Sequence, residues 1–134
     1  MKKFYYIFLF ALGIFLLTPL TIYPQSSIHK IDTLETTSSL KVGKEIYLKN
    51  CSGCHGEWGQ GFAGPNLTDK YWLHGGGKKD ITTSISDGIP DKGMIGWKIV
   101  FSSSEIQAIT DYVRSLRGTN PPKAKKPEGK LYNE

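Results

Sequence analysis

The sequence predicts an all-α domain of three to four short helices, preceded by a hydrophobic helix at the N-terminus. Two stretches, one before residue 51 and one after residue 102, repeat apolar residues at helical spacing. Residues 4–23 form an uncharged, largely apolar run behind a basic start. No stretch of the chain alternates apolar and polar residues as strands do. Together these observations favour helices throughout.

Residues 1–23 are predicted to be a signal peptide or a membrane anchor. The strongly apolar part, residues 4–17, is short, which favours a signal peptide. No small-x-small cleavage site precedes Gln25, which favours an uncleaved anchor. Both alternatives place the domain outside the cytoplasm, in the periplasm or a similar extracytoplasmic space, where it is either secreted or membrane-anchored.

The rest of the chain, about 110 residues, is enough for one small domain. Residues 24–39 are rich in Ser and Thr and lack periodicity, so we expect a flexible tether there. The first helix of the domain is predicted from about Leu40 into Cys51. Gly43 inside this helix costs about 1 kcal/mol relative to Ala, which indicates close approach by a second helix.

The two cysteines of the chain lie three positions apart, in Cys51-Ser52-Gly53-Cys54-His55. This is the attachment signature of c-type haem: each thiol can add to one vinyl group, and His55 then falls under the iron as its proximal ligand. We therefore predict one covalently bound haem c per chain, held by Cys51, Cys54 and His55, with the short helices wrapped around it.

Other uses of two nearby cysteines need features that the sequence lacks. A structural zinc site needs four ligands, and the remaining histidines, His29 and His74, are isolated. A thioredoxin-like redox pair would follow a strand in a βαβ unit. A disulfide across so short a loop would add little stability.

Two short elements are predicted between this motif and the last helix. A turn or helix over Thr68–Leu73 would end at the glycines that begin with Gly75. A helix over Ile81–Ser86 would be capped by Asp80 and would end at Gly88.

Met94 is the candidate for the second axial ligand. Apart from Met1 it is the only methionine, and it lies in a glycine-flanked loop just before the last helix. Two alternatives stay open: Met94 as a filler of the core, and His74 as the ligand of a bis-histidine centre.

The last helix has the clearest sequence pattern. Ser102 and Glu105 fit a capping box, and Gly118 follows as a C′ residue. One face of this helix is apolar, formed by Ile106, Ile109, Tyr112, Val113 and Leu116. We expect this face to cross the first helix at Gly43 and Tyr47.

These elements place the domain at residues 40–118. Residues 119–134 are rich in Pro and Lys and are expected to form a separate C-terminal tail. Such a tail would be either extended along a partner or disordered.

The order of three motifs resembles that of a class I cytochrome c: Gly43-x-x-x-Tyr47, Gly64-Pro65-Asn66-Leu67, and Met94 before the last helix. The resemblance implies the small cytochrome c fold. It also implies that the Pro65 carbonyl accepts a hydrogen bond from Nδ1–H of His55, which leaves Nε2 for iron. Leu67 would then pack on the haem face and Trp97 at the haem edge.

Longer strings are similar to the haem domains of subunit III of cbb3-type cytochrome c oxidases. They cover about residues 40–132 and include the run from Asn66 to Gly76, the run Lys92-Gly93-Met94, and the prolines after Gly118. That subunit normally carries two haem domains, whereas this chain has one attachment site. Its usual proline after the ligand methionine is replaced here by Ile95-Gly96.

We expect a mono-haem c-type cytochrome that carries single electrons in a respiratory chain and is not an enzyme, because two axial ligands leave no open position on iron. The alternatives are a fixed cytochrome c subunit of a terminal oxidase complex, and a five-coordinate gas-binding haem sensor or enzyme. Redox proteins such as an oxidase are the expected partners, with the membrane if the N-terminal segment is retained. A net charge of +5 without a clustered patch argues against nucleic acid.

Overall fold

A computed structural model describes residues 26–133 as four α-helices and a short two-stranded sheet. In chain order the elements are α1 (Ser26–Asn50), α2 (Ser52–His55), β1 (Tyr71–Trp72), α3 (Lys78–Asp87), a 3-10 turn (Pro90–Lys92), α4 (Ser103–Ser115) and β2 (Lys130–Leu131). The fold of these residues is therefore mostly helical, as the sequence predicts. The hydrophobic helix expected in residues 1–23 lies outside the described part. Among residues 26–133, no helix has the length and hydropathy needed to cross a membrane.

The first helix begins fourteen residues earlier than the sequence predicts, at Ser26 rather than about Leu40. Most of the segment expected to be a flexible tether, 24–39, is therefore helical. No Gly or Pro occurs between Ser26 and Gly43, and Ser and Thr each cost only a few tenths of a kcal/mol in a helix. The helix can therefore extend outward from its packed C-terminal half.

Helices α1 and α4 cross at Gly43, as the sequence predicts. A Cβ at this position would overlap the Ala108 carbonyl group and lie 3.0 Å from Cβ of Tyr112. Next along this face, the rings of Tyr47 and Tyr112 lie 5.2 Å apart and are tilted by 59°. The missing side chain of Gly43 thus lets the two backbones touch.

The core lies between these crossed helices, α3 and the loop that follows α2. Its buried side chains are Tyr47, Leu67, Ile81, Ile85, Ile106, Ile109, Val113 and Leu116. Most of the predicted apolar face of α4 is therefore buried, with Tyr112 half-buried beside it.

The capping box of α4 is confirmed. The Ser102 hydroxyl accepts the Glu105 amide N–H at 3.3 Å, and the Glu105 carboxylate accepts the Ser102 amide N–H at 2.8 Å. Helix α4 ends at a C-cap, Leu116. Gly118 therefore lies beyond the predicted C′ position, and its amide N–H donates to the Thr68 carbonyl at 2.6 Å.

Two of the short elements differ from the prediction. Helix α3 is capped by Gly77, and Asp80 is its third residue, whose carboxylate accepts the Gly77 amide N–H at 3.1 Å. Within the turn or helix expected over Thr68–Leu73, the structure has strand β1. Helical spacing cannot reveal this strand, because two residues are too few to show a period.

The C-terminal segment is not a separate tail. It runs back along the domain, and β2 pairs antiparallel with β1, Tyr71 opposite Leu131 and Trp72 opposite Lys130. Arg117 holds the end of this segment, since its guanidinium lies 5.0 Å from the Trp72 ring and 5.2 Å from the Tyr132 ring. The domain boundary predicted at Gly118 is therefore wrong for residues 119–133.

The helix crossing gives a first prediction. Gly43→Ala should destabilise the protein by about 1–3 kcal/mol, because the added methyl overpacks the contact with Ala108. Val42→Ala, on the neighbouring exposed position of α1, should change stability by less than about 0.5 kcal/mol. Guanidinium unfolding of the purified protein measures both. A more stable Gly43→Ala variant would contradict the close contact, since helix propensity alone favours Ala.

Candidate haem site

The two cysteines lie on one continuous turn of helix at the end of α1. Cys51 is the N-cap of α2, and its amide N–H donates to the Tyr47 carbonyl at 2.8 Å. The His55 amide N–H donates in turn to the Cys51 carbonyl at 2.9 Å. Cys51 packs against the core, Cys54 is exposed, and both are free thiols. The attachment motif therefore presents one inward and one outward thiol.

The environment of Cys51 keeps its thiol protonated at neutral pH. Burial, helped by the nearby Cys54, raises the pKa of the Cys51 thiol to about 11. Redox-active cysteine pairs instead carry a thiol whose pKa lies below the ordinary value. The Cys51 thiol is thus unlike the low-pKa thiol of a thioredoxin-type pair.

The imidazole of His55 is held on two sides by the loop that follows α2. Its Nδ1 lies 3.1 Å from the Pro65 carbonyl oxygen, and because a carbonyl can only accept, Nδ1 carries the proton. A Cβ on Gly64 would lie 2.8 Å from Cε1 of His55, so only a glycine leaves room for the ring. The Nε2 lone pair is therefore free to bind a metal.

Burial lowers the pKa of the His55 imidazole, and this outweighs the hydrogen bond to Pro65, which raises it. The ammonium of Lys125 lowers it further. The ring is therefore neutral at pH 7, the state in which imidazole binds iron.

Backbone hydrogen bonds fold the loop back over the motif. The Gly61 amide N–H donates to the His55 carbonyl at 2.7 Å, and the Gly64 amide N–H to the Cys54 carbonyl at 2.8 Å. From α1, the buried hydroxyl of Tyr47 donates to the Gly56 carbonyl at 2.7 Å. The residue after His55 is thus fixed directly to the helix crossing.

Met94 is half-buried and packs against the same core as Cys51 and Leu67. Its loop is closed by a pair of backbone hydrogen bonds to Ile89, at 2.8 and 3.2 Å. The loop is also tied to α3, because the Trp97 amide N–H donates to the Ile85 carbonyl at 3.0 Å. The chain thus holds the thioether in a defined place.

The other predicted residues are distributed around this core. Trp97 is half-buried and stacks on Phe101 with ring centroids 5.3 Å apart. His74, the competing ligand, is exposed in the loop between β1 and α3. Ligation of iron by His55 and Met94, and contacts of haem with Pro65, Leu67 and Trp97, stay predictions.

Asn66 and Lys125 also belong to this site, although neither was predicted from the sequence. The Asn66 side-chain amide donates to Asp69 at 2.9 Å and to the Lys125 carbonyl at 3.2 Å, and its oxygen accepts the Thr68 hydroxyl at 2.7 Å. Asn66 is buried although polar, and such residues are retained where they satisfy backbone groups. The signals for Asn66 in the sequence are its places in the Gly64-Pro65-Asn66-Leu67 string and in the run from Asn66 to Gly76.

The donor set fits a haem c. Two free thiols stand on one helical turn, a neutral imidazole has Nε2 available, and a thioether packs in the same cluster as Cys51. These are the groups that attach the porphyrin and occupy the two axial positions in the methionine–histidine class of haem proteins. Within residues 26–133, no three His, Cys, Asp or Glu side chains form a cluster that could hold a metal ion.

The helix arrangement is that of a c-type cytochrome. The structure is similar to the crystal structure of cytochrome cL from Methylophaga aminisulfidivorans, with a TM-score of 0.55 and 26% sequence identity. The match covers 75% of this chain and 71% of the other.

Residues 38–113 match the family described as cytochrome c oxidase, cbb3-type, subunit III. Subunit FixP from Azorhizobium caulinodans is 41% identical over 61% of this chain and 29% of its own length. Subunit CcoP from an Azospirillum species is 37% identical over 69% of this chain and 36% of its own length. The chain belongs to this cbb3-type subunit III family, which confirms the resemblance found in the sequence. It spans about a third of the length of these relatives.

The hydrogen bond from Tyr47 to Gly56 gives a second prediction. Tyr47→Phe keeps the ring contact with Tyr112 but leaves a buried carbonyl unpaired, so the free energy of unfolding should fall by about 1–3 kcal/mol. Tyr71→Phe removes a hydroxyl from an exposed residue and should have little effect. Guanidinium unfolding compares the two, and equal stabilities would contradict a structural role for the Tyr47 hydroxyl.

Proposed function

We propose that the chain is a mono-haem c-type cytochrome that carries single electrons and catalyses no reaction of its own. The observation that supports this most is the geometry of His55, whose ring is held by Gly64 and the Pro65 carbonyl with Nε2 free. A histidine fixed in this way directly after two free thiols is suited to a covalently attached porphyrin.

Each part of the site has a role in this proposal. Cys51 and Cys54 would hold the porphyrin through two thioethers, while His55 and Met94 would occupy the two axial positions. Haem supplies a one-electron couple at its iron. A thioether ligand and the apolar surroundings of Leu67 favour the less charged, reduced state and so raise the potential. With both axial positions filled, electrons would pass through the haem edge, near which we place Trp97.

The partner we propose is a respiratory complex outside the cytoplasm, specifically a cbb3-type oxidase. The relatives named above are subunits of such oxidases. The chain would serve either as a mobile carrier to the oxidase or as one of its fixed subunits, anchored to the membrane or free in the periplasm. Purification in mild detergent separates these alternatives, because a fixed subunit remains with the oxidase and a carrier does not.

Covalent attachment gives a third prediction. Acidified acetone should leave haem on the natively matured protein and on Cys54→Ala, which keeps one thioether. It should extract haem from the Cys51→Ala/Cys54→Ala double variant. Absorbance of the protein pellet measures the retained haem, and loss of all haem from the unmodified protein would overturn the proposed function.

Methionine ligation gives a fourth prediction. The oxidised protein should show the weak long-wavelength band of methionine-ligated ferric haem, and Met94→Ala should lose it. The potential of this variant should fall by on the order of 0.1 V, within the roughly 0.8 V over which axial ligands set haem potentials. Ile95→Ala, at an exposed neighbour, should retain both properties.

Carbon monoxide distinguishes the carrier from the gas-binding alternative. Reduced Met94→Ala should bind carbon monoxide at neutral pH, because an axial position is then open, whereas the unmodified protein should not. Ready binding by the unmodified protein would instead favour a five-coordinate haem sensor or enzyme.

A further inference from the structure

We propose that Lys125 is a positioning residue for His55, so that the C-terminal segment 119–132 forms part of the proximal side of the haem site. This inference rests on the proposed function, because it takes His55 as the iron ligand. The composition of the segment does not indicate this role, whereas the contacts of Lys125 do.

Lys125 binds the His55 loop at three points. Its amide N–H donates to the Gln60 carbonyl at 2.8 Å, and its ammonium donates to the Gly64 carbonyl at 3.2 Å. Its own carbonyl accepts from the side-chain amide of Asn66 at 3.2 Å. Two of these contacts flank Pro65, the residue whose carbonyl orients the imidazole. Lys125 therefore holds the Gly64 carbonyl before that acceptor and the Asn66 side chain after it.

The charge of Lys125 also acts on the ring. Its ammonium pairs with the Glu128 carboxylate at 3.1 Å, and the two side chains are only 32% and 41% exposed. Partial burial reduces the screening that weakens fully exposed pairs. The ammonium donates to the carbonyl of Gly64, the residue on which an added Cβ would touch the His55 ring, so it lies close enough to disfavour positive charge there. For the same reason it would disfavour the more positive, oxidised state of an iron bound to Nε2.

The segment is ordered well enough to hold Lys125 in place. Asn120 and Lys123, just before Lys125, have φ of 47° and 59°. These values lie in the left-handed region that residues other than glycine seldom adopt. Such conformations persist where the surrounding contacts fix them. Beyond Lys125, the Tyr132 amide N–H donates to the Lys70 carbonyl at 2.8 Å. Lys125 thus lies between two fixed ends.

Lys125→Met tests the proposal, because it keeps an apolar stem of similar length and removes the ammonium. We expect the equilibrium of the holoprotein to shift about threefold toward the oxidised form. This corresponds to a fall in the reduction potential of about 30 mV, at about 59 mV per tenfold for one electron. Amides of residues 59–68 should exchange with deuterium at least about tenfold faster. Lys126→Met makes the same charge change at an exposed neighbour and should show neither effect, whereas Lys125→Arg should restore both.

Equal shifts in Lys125→Met and Lys126→Met, or none in either, would overturn the proposal. If Lys125→Met yields no holoprotein, Glu128→Gln decides instead, because it leaves the ammonium uncompensated. It should raise the potential by about 30 mV, a threefold change in the redox equilibrium at about 59 mV per tenfold, relative to Glu57→Gln at an exposed acid of the His55 loop. An unchanged potential in Glu128→Gln would then overturn it. Retention of the methionine band and of covalent haem in the unmodified protein keeps a failure here separate from a failure of the proposed function.

Discussion

The orientation of one imidazole is the constraint on which the rest of this site depends. A ligand to iron must present Nε2 along one direction, and the proton on Nδ1 must therefore have a fixed acceptor. The Pro65 carbonyl supplies that acceptor at 3.1 Å. Gly64 leaves no atom in the space that the ring needs. Pro65 thus acts through its backbone carbonyl, and Gly64 acts through the absence of a side chain.

That constraint is connected to the whole domain through Tyr47. Its ring packs at the crossing of α1 and α4, and its hydroxyl holds the carbonyl of Gly56, the residue next to His55. The same helix α1 continues into the turn that carries both cysteines. A shift of the helix crossing would therefore move the attachment motif and its histidine together, so the geometry of His55 is determined by long-range packing as well as by its own loop.

Patterns that act over a few residues were readable from the sequence. The capping box at Ser102, the apolar face of α4 and the close approach at Gly43 each depend on side chains within one helix or on one missing side chain, and the structure has all three. The family was readable for a similar reason, because its motifs are short strings. What the sequence did not show depends on distant partners: strand β1 exists only because residues 130–131 return to it.

The boundary at Gly118 shows why composition was a poor guide to the end of this domain. A segment rich in proline and lysine has few apolar side chains to bury, so it is expected to be solvated if packing depends on such side chains. Here the contacts use other groups: backbone amides and carbonyls at Lys125 and Tyr132, and a guanidinium beside aromatic rings at Arg117. Apart from the Tyr132 ring beside Arg117, these contacts need no hydrophobic side chain in the returning segment. A domain this small buries limited apolar surface, so polar backbone contacts from a returning segment are an effective way to fix a loop that must not move.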